Sequence, residues 1–344
     1  MVNPWKSGAI AVCAVLAAQT AAARDLTIAG WGGNYQDAQR AAYFQPFADA
    51  KGVKFTEATY LGGLAEVKTM ADTGDATWDL VIVEGADLQV GCDEGLFEEI
   101  DWDSIPAKDQ LVPEAIQPCG AGNVVIGTGL AYNSETVGEK PQNWQDFFNT
   151  QKWPGKRGMR AGPKYNLEFA LIADGVSPDQ VYEVLATPEG VERAFAKLDT
   201  IKKDIQFWEA GAQPIEWLAA NNVVMTVSYN ARISAAQKEG KPFVFVWTNP
   251  LYSIDAWAVP ANAPNKDLAM EFIAFASTAE PQAKFSQLMP YGPTNTQVAG
   301  MLPPEVLANI PAGENVKDGF FFSDPFWTDN NDALSERWNN WVTR

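Results

Sequence analysis

The sequence predicts an α/β protein of two doubly wound units joined by a two-strand hinge, and three observations carry that reading. Strand-like and helix-like periodicities alternate along the chain. The alternation opens with a βαβαβ series, the pattern of a parallel sheet. It restarts in the second half, and strand-like stretches near residues 130 and 250 connect the two units.

Asp25–Gly30 is a short β-like run that Trp31-Gly-Gly-Asn-Tyr35 breaks. Gln36–Ala50 then carries Ala41, Phe44, Phe47 and Ala48 on one helical stripe. Val53–Thr59 reads as a strand, Leu64–Thr73 as a helix and Asp79–Val83 as a third, apolar strand. Sheets of this kind take ligands at the carboxyl ends of their strands. That rule directs attention to Trp31, Tyr35, Tyr60, Glu84 and Gly85.

Val124–Tyr132 is strand-like and leads into a Trp- and Pro-rich stretch, Pro141–Pro163. Helices follow at Asn166–Asp174, Pro178–Leu185 and Gly190–Lys202, then a strand at Ile205–Glu209 and a helix at Gln213–Ala220. Strands at Val223–Tyr229, Phe243–Thr248 and Ile254–Val259 precede a helix at Lys266–Ala276. Gly127, Gly129 and Pro250 are expected points of bending between the units.

Composition narrows the chemistry. The 344 residues include 13 tryptophans and no histidine, with a net charge of −18. Without imidazole there is no Ser-His-Asp or Cys-His catalysis and no His-ligated zinc. There is also no G-x-S-x-G, P-loop or dinucleotide-binding glycine motif. The acidity argues against a nucleic-acid partner and favours solubility. No cofactor or metal is expected. What remains is a supply of flat apolar faces and carboxylates, suited to holding a small cation.

The first 23 residues read as an export signal. Lys6 supplies the positive start, Ala9–Ala18 the apolar run, and Ala21-Ala22-Ala23 the cleavage pattern. Cys13 lies inside the apolar run and is discarded with it. Cleavage near Ala23 would leave a periplasmic protein with two cysteines, Cys92 and Cys119. An even pair in an exported chain is expected to be a disulfide.

Several segments together resemble the periplasmic substrate-binding components of ABC importers, in the spermidine and putrescine branch. They are Leu26-Thr-Ile-Ala-Gly-Trp31, Trp78-Asp-Leu-Val-Ile-Val83, Val224–Tyr229 with Asn230, Asp255-Ala-Trp-Ala-Val-Pro-Ala-Asn-Ala-Pro-Asn-Lys266, and Tyr291-Gly-Pro-Thr. The resemblance implies a type II periplasmic-binding fold with the solute clamped between lobes. The lobes are expected at residues 25–131 with 252–292, and 132–251 with 293–344. By the same resemblance, Trp31, Tyr35, Tyr229 and Tyr291 supply aromatic faces, and Asp255 receives an ammonium. It also implies an inner-membrane permease as partner, a monomeric receptor and no reaction.

Physical chemistry supports such roles. An alkyl ammonium over an aromatic face gains roughly 0.5–2 kcal/mol, and a desolvated carboxylate forms charge-assisted hydrogen bonds. An acid inside an apolar strand, as at Asp255, is costly unless something pairs with it.

The chain departs from the polyamine pattern at the ligand. Gly162-Pro-Lys-Tyr165-Asn stands where spermidine binders carry acids, and Ser253 replaces an aromatic. Arg232, just after the strand ending at Tyr229, is a natural carboxylate receptor. Asp255 and Arg232 would then bracket an ω-amino acid such as 4-aminobutyrate. Glu84 cuts the other way, because it would suit a second ammonium or pair with Arg232. A secreted carboxylate-dependent protein that binds or hydrolyses glycosides is the alternative class that composition leaves open.

Overall fold

The computed structural model describes residues 25–344. The expected export signal over residues 1–23 lies outside the described residues. Eleven strands are found among them: β1 Leu26–Gly30, β2 Phe55–Thr59, β3 Leu80–Glu84, β4 Ile116–Gln117, β5 Gly120–Asn133, β6 Arg157–Arg160, β7 Ile205–Trp208, β8 Met225–Tyr229, β9 Phe243–Phe245, β10 Leu251–Ala258 and β11 Phe320–Phe321.

All belong to one mixed sheet whose main path runs β2-β1-β3-β10-β5-β8-β6-β7. At one end β1 pairs parallel with β2 and β3. At the other, β6 pairs parallel with β7 and β8. The two parallel halves meet through β10 and β5, which are antiparallel to each other and to their outer neighbours β3 and β8. β1, β3 and most of β5 are buried on both faces, the condition that makes such strands read as continuous apolar runs.

Each half has its own core. In the first, Phe44, Phe47, Trp257 and Phe272 pack together between the sheet and its helices. In the second, Trp144, Phe169, Trp208, Trp327 and Trp338 form the larger cluster. The tryptophans are therefore mostly packing residues, and Trp144 and Phe169 stack with centroids 3.7 Å apart.

Helix starts follow capping chemistry. Thr187 accepts from the Gly190 amide at 3.0 Å ahead of Pro188–Asp199. Ser323 accepts from the Phe326 amide at 3.3 Å ahead of Asp324–Val342. Each satisfies an amide that the first helical turn leaves without a partner.

Some expectations shift. The Trp- and Pro-rich stretch contains a strand, β6, whose Arg-Gly-Met-Arg sequence hides it. Arg157 is fully buried, and its guanidinium donates to the carbonyls of Phe147, Gly155, Asn149 and Trp153. Burial lowers its pKa to about 10, with the charge of Asp204 opposing. Helices at Gly85–Asp93, Ala279–Leu288 and Asp324–Val342 also lie beyond the expected set. Gly129, one of the expected points of bending, makes room for a neighbour: a Cβ there would sit 2.7 Å from the Phe245 ring.

Residues 294–312 pack on the first half. Thr294 donates to the Gly122 carbonyl at 3.0 Å, and Val298, Leu302, Ile310 and Ala312 cluster with Ala283. Asn230 ties this segment to the centre of the sheet. It accepts from the Gly127 amide at 2.9 Å and donates to the carbonyls of Pro290 and Asn309. Among the described residues no helix is long and apolar enough to cross a membrane.

Cys92 and Cys119 are joined, with Cα atoms 5.9 Å apart, linking the Gly85–Asp93 helix to the residue ahead of β5. Peptide mapping without reductant is expected to recover them linked. Replacing both with alanine should cost about 3–4 kcal/mol of stability by denaturant titration, the chain-entropy value for a loop of this size. Two alkylatable thiols in the untreated native protein would contradict the bond.

Candidate functional site

Where the two halves of the sheet meet, a cleft of about 510 Å³ opens between them. Strand ends supply most of its walls. On the first half, Trp31 follows β1 and Glu84 ends β3. On the second, Arg160 ends β6 and Tyr229 ends β8. These are carboxyl ends of parallel strands, the end at which sheets of this kind take their ligands. Asp255 reaches the cleft from the middle of β10, and Tyr35, Tyr291 and Arg232 complete the expected set.

Seven of the eight residues expected at a ligand therefore line one cavity. Tyr60 does not. It is buried one layer back, its ring stacked 5.0 Å from Trp31 at 17° and its hydroxyl donating to the Ile82 carbonyl. Its neighbourhood is apolar, so the phenol packs inward and supports the indole. Sequence reasoning passed over Arg160, Phe322 and Asp324, which also line the cleft, as do Lys164 and Tyr165 from the segment that departs from the polyamine pattern.

Asp255 is the most buried acid there, 9% exposed. Its register partner across β10 and β3 is another acid, Glu84. Like charges directly opposite repel. Burial and that neighbouring charge push the Asp255 carboxyl up to about 8, against a hydrogen bond from the Trp31 indole. A β-bulge sits at this point: Asp255 pairs with Val124 and Ala256 with Gly122, leaving Asn123 over. Asn123 donates to the Tyr35 hydroxyl at 3.2 Å. Burial and the charge of Asp255 together raise the Tyr35 phenol well above its ordinary value, so it stays protonated. Tyr35 meets Tyr291 edge-on at 5.4 Å, closing the aromatic side of the cleft.

The second half contributes cations. Arg160 lies 5.4 Å over the Tyr165 ring, and its charge acts on the Tyr229 phenol. Lys164 lies 5.8 Å over the Trp327 ring, and Arg232 is exposed at the start of the helix Asn230–Lys238. Between the halves, the Asp324 carboxylate rests against Gly85, where any Cβ would approach within 2.2 Å. Desolvation raises Asp324 to about 6, with Lys164 opposing and Glu84 assisting. Desolvation by the cleft walls and the charge of Asp87 also raise Glu84, while Arg160 and Lys164 pull it down. The cleft thus offers one buried acid flanked by aromatics, with guanidinium groups across from it. That is a receptor for a small zwitterion or cation.

The family of bacterial extracellular solute-binding proteins matches residues 42–312. The chain belongs to that family.

Among curated relatives of this solute-binding protein, the gamma-aminobutyric acid-binding protein of Pseudomonas aeruginosa is 46% identical over 96% of this chain and 94% of its own. The spermidine/putrescine-binding periplasmic protein of Escherichia coli is 21% identical over 81% of this chain and 82% of its own. A solved GABA receptor superposes with a TM-score of 0.80 at 32% identity, covering 92% of this chain and 97% of its own. The fold is thus the two-lobed arrangement of periplasmic solute-binding proteins.

The raised acids set a pH dependence for the ligand-free protein. Asp255 at about 8, Asp324 at about 6 and the buried Glu168 at about 7 all hold protons more tightly folded than unfolded. Glu168 is raised chiefly by burial, despite bonds from Trp327 and Tyr182. Their stabilisation is complete below the unfolded carboxyl values and lost as pH rises through each folded value. The melting temperature is therefore expected to fall from pH 5 to pH 8, and Asp255→Asn should flatten the upper part of that fall. Calorimetric scans across the range check it; a rising curve would contradict the assigned shifts.

Proposed function

We propose that this protein is the periplasmic receptor of an ABC importer for a short ω-amino acid of the 4-aminobutyrate type. In this reading the solute is clamped between two lobes and handed to an inner-membrane permease, with no reaction catalysed. The carrying observation is the opposition of charge: buried Asp255 comes from the first half and the guanidinium groups from the second. Asp255 takes the ammonium between Trp31, Tyr35 and Tyr291, where the aromatic faces add attraction for the cation. The carboxylate goes to the arginines, because burying it without a partner costs several kcal/mol. The name of the Pseudomonas aeruginosa relative supports the same class of solute.

The export signal, its removal near Ala23 and a monomeric receptor belong to this proposal. So do two lobes joined at β5 and β10, with residues 294–312 moving with the first lobe because they pack on it. Ligand binding would act by favouring the closed arrangement, through contacts that only closure completes.

A polyamine remains the second reading. The observation for it is the further acids Glu84 and Asp324 in the same cleft, which would suit a second ammonium.

Isothermal titration separates the two. The wild type is expected to bind 4-aminobutyrate and to bind putrescine far more weakly; the reverse order would establish the polyamine reading. Asp255→Asn should weaken 4-aminobutyrate binding by about 2–4 kcal/mol, the scale for one lost partner of a buried charged pair. Arg232→Ala should abolish 4-aminobutyrate binding and leave putrescine binding equal or stronger. Wild-type affinity should also rise with pH towards 8, since only ionised Asp255 pairs with an ammonium.

A further inference from the structure

Asn230 opens the second-half helix Asn230–Lys238 directly after β8, yet its side chain bonds to the first half. It is 1% exposed and spends both amide hydrogens there, on the carbonyls of Pro290 at 2.8 Å and Asn309 at 2.9 Å. Its oxygen accepts from the amide of Gly127, at 2.9 Å, in the strand that passes from one half to the other. Trp247, also of the second half, donates its indole N–H to the carbonyl of Ala308 at 3.2 Å, one residue before Asn309. Gly127 lets both side chains approach. A Cβ there would stand 3.3 Å from the Asn230 Oδ1 and 3.4 Å from the Trp247 ring.

The acceptors belong firmly to the first half. Gly292, two residues after Pro290, exchanges both main-chain hydrogen bonds with Val125, and Phe285 lies in the first core. Ala308 and Asn309 lie in the segment whose Val298, Leu302 and Ile310 pack with Ala283. The donors are fixed to the second half. Ile233 and Ala236 of the Asn230 helix pack with Phe243 and Phe245, and the Trp247 ring meets Phe245 at 4.6 Å. A cavity of about 60 Å³ lies between Ile233 and Phe245 on one side and Ala308 and Asn309 on the other. Hydrogen bonds, not close packing, join the halves at this point.

The direction in which these bonds act follows from their neighbours. Tyr229, just before Asn230, and Tyr291, just after Pro290, line the cleft from opposite halves. Opening the cleft draws those two residues apart and stretches the bond between Asn230 and Pro290. Breaking it leaves buried polar groups unpaired, which is costly. We propose that Asn230 and Trp247 form a clasp that limits how far the two halves open. By excluding wider arrangements it keeps the population closer to the form that closes on a solute. Neither residue lines the cleft, and the clasp acts whichever solute the cleft takes.

The test uses the full mature protein without added solute. Nitroxide labels are placed at Leu61→Cys and Glu209→Cys, exposed positions just past the carboxyl ends of β2 and β7, the two ends of the main sheet path. Pulsed electron paramagnetic resonance reads the distance between them. Asn230→Ala should lengthen the mean distance and broaden its distribution relative to the labelled parent. Trp247→Phe, which keeps a ring and removes only the indole donor, should lengthen it less. The radius of gyration from X-ray scattering should rise in the same order. Melting temperatures are measured alongside, because a role confined to local packing lowers them without moving the labels. Unchanged distances in both variants overturn the proposal, even where stability falls. A shorter distance also overturns it, since the bonds would then resist closure. Should Asn230→Ala fail to fold, Trp247→Phe and Asn230→Asp carry the test, the latter keeping the shape and the acceptor but losing the amide donors. The distance must lengthen in both, and an unchanged one overturns the clasp.

Discussion

The cleft is organised around a carboxylate that the fold has stripped of water and left without a cationic partner. Asp255 sits in a central strand, opposite a second acid, under an indole and beside two phenols. An isolated ionised acid in such a place is unfavourable, and the group keeps its proton instead. What relieves it is a cation that brings its own charge and leaves with it. The protein therefore stores an unmet electrostatic demand in β10, the strand through which its two halves meet. A ligand that meets the demand acts where the halves join, so binding and closure share one location.

Much of this was legible in the chain. Strand ends in a doubly wound sheet are readable from periodicity, so Trp31, Tyr35 and Glu84 could be named from the chain, whereas Tyr229 came from the family resemblance. Asp255 was visible as an acid inside an apolar strand, and the cysteine pair needed only the inference of export. Tyr60 shows the limit of that logic. Position at a strand end brings a side chain near the cleft, yet which way a ring turns depends on neighbours that periodicity does not encode. Its hydroxyl found the Ile82 carbonyl, and its face found Trp31.

The second half was harder to read for a definite reason. β6 is only four residues long and carries an arginine at each end, so neither alternation nor apolar continuity marks it. Arg157 is buried because loop carbonyls satisfy its guanidinium, a solution that exists only once the chain between Phe147 and Gly155 has folded back. With β6 hidden, the residues at its end were hidden too. Asp324 was concealed differently: it is distant in sequence and enters the cleft only because Gly85 presents no side chain to it.

The single surplus residue in β5 has a reach beyond its immediate neighbours. Side chains alternate along a strand, so one extra residue resets the phase of everything after it. Ahead of Asn123, Ala121 belongs to the first core; after it, Ile126 faces the cleft, and Leu130 and Tyr132 enter the second core. A strand lacking that residue would have the same apolar content out of step, with cleft positions turned inward and core positions turned outward. The irregularity beside Asp255 is thus the point at which two separately packed halves are brought into phase with one binding surface.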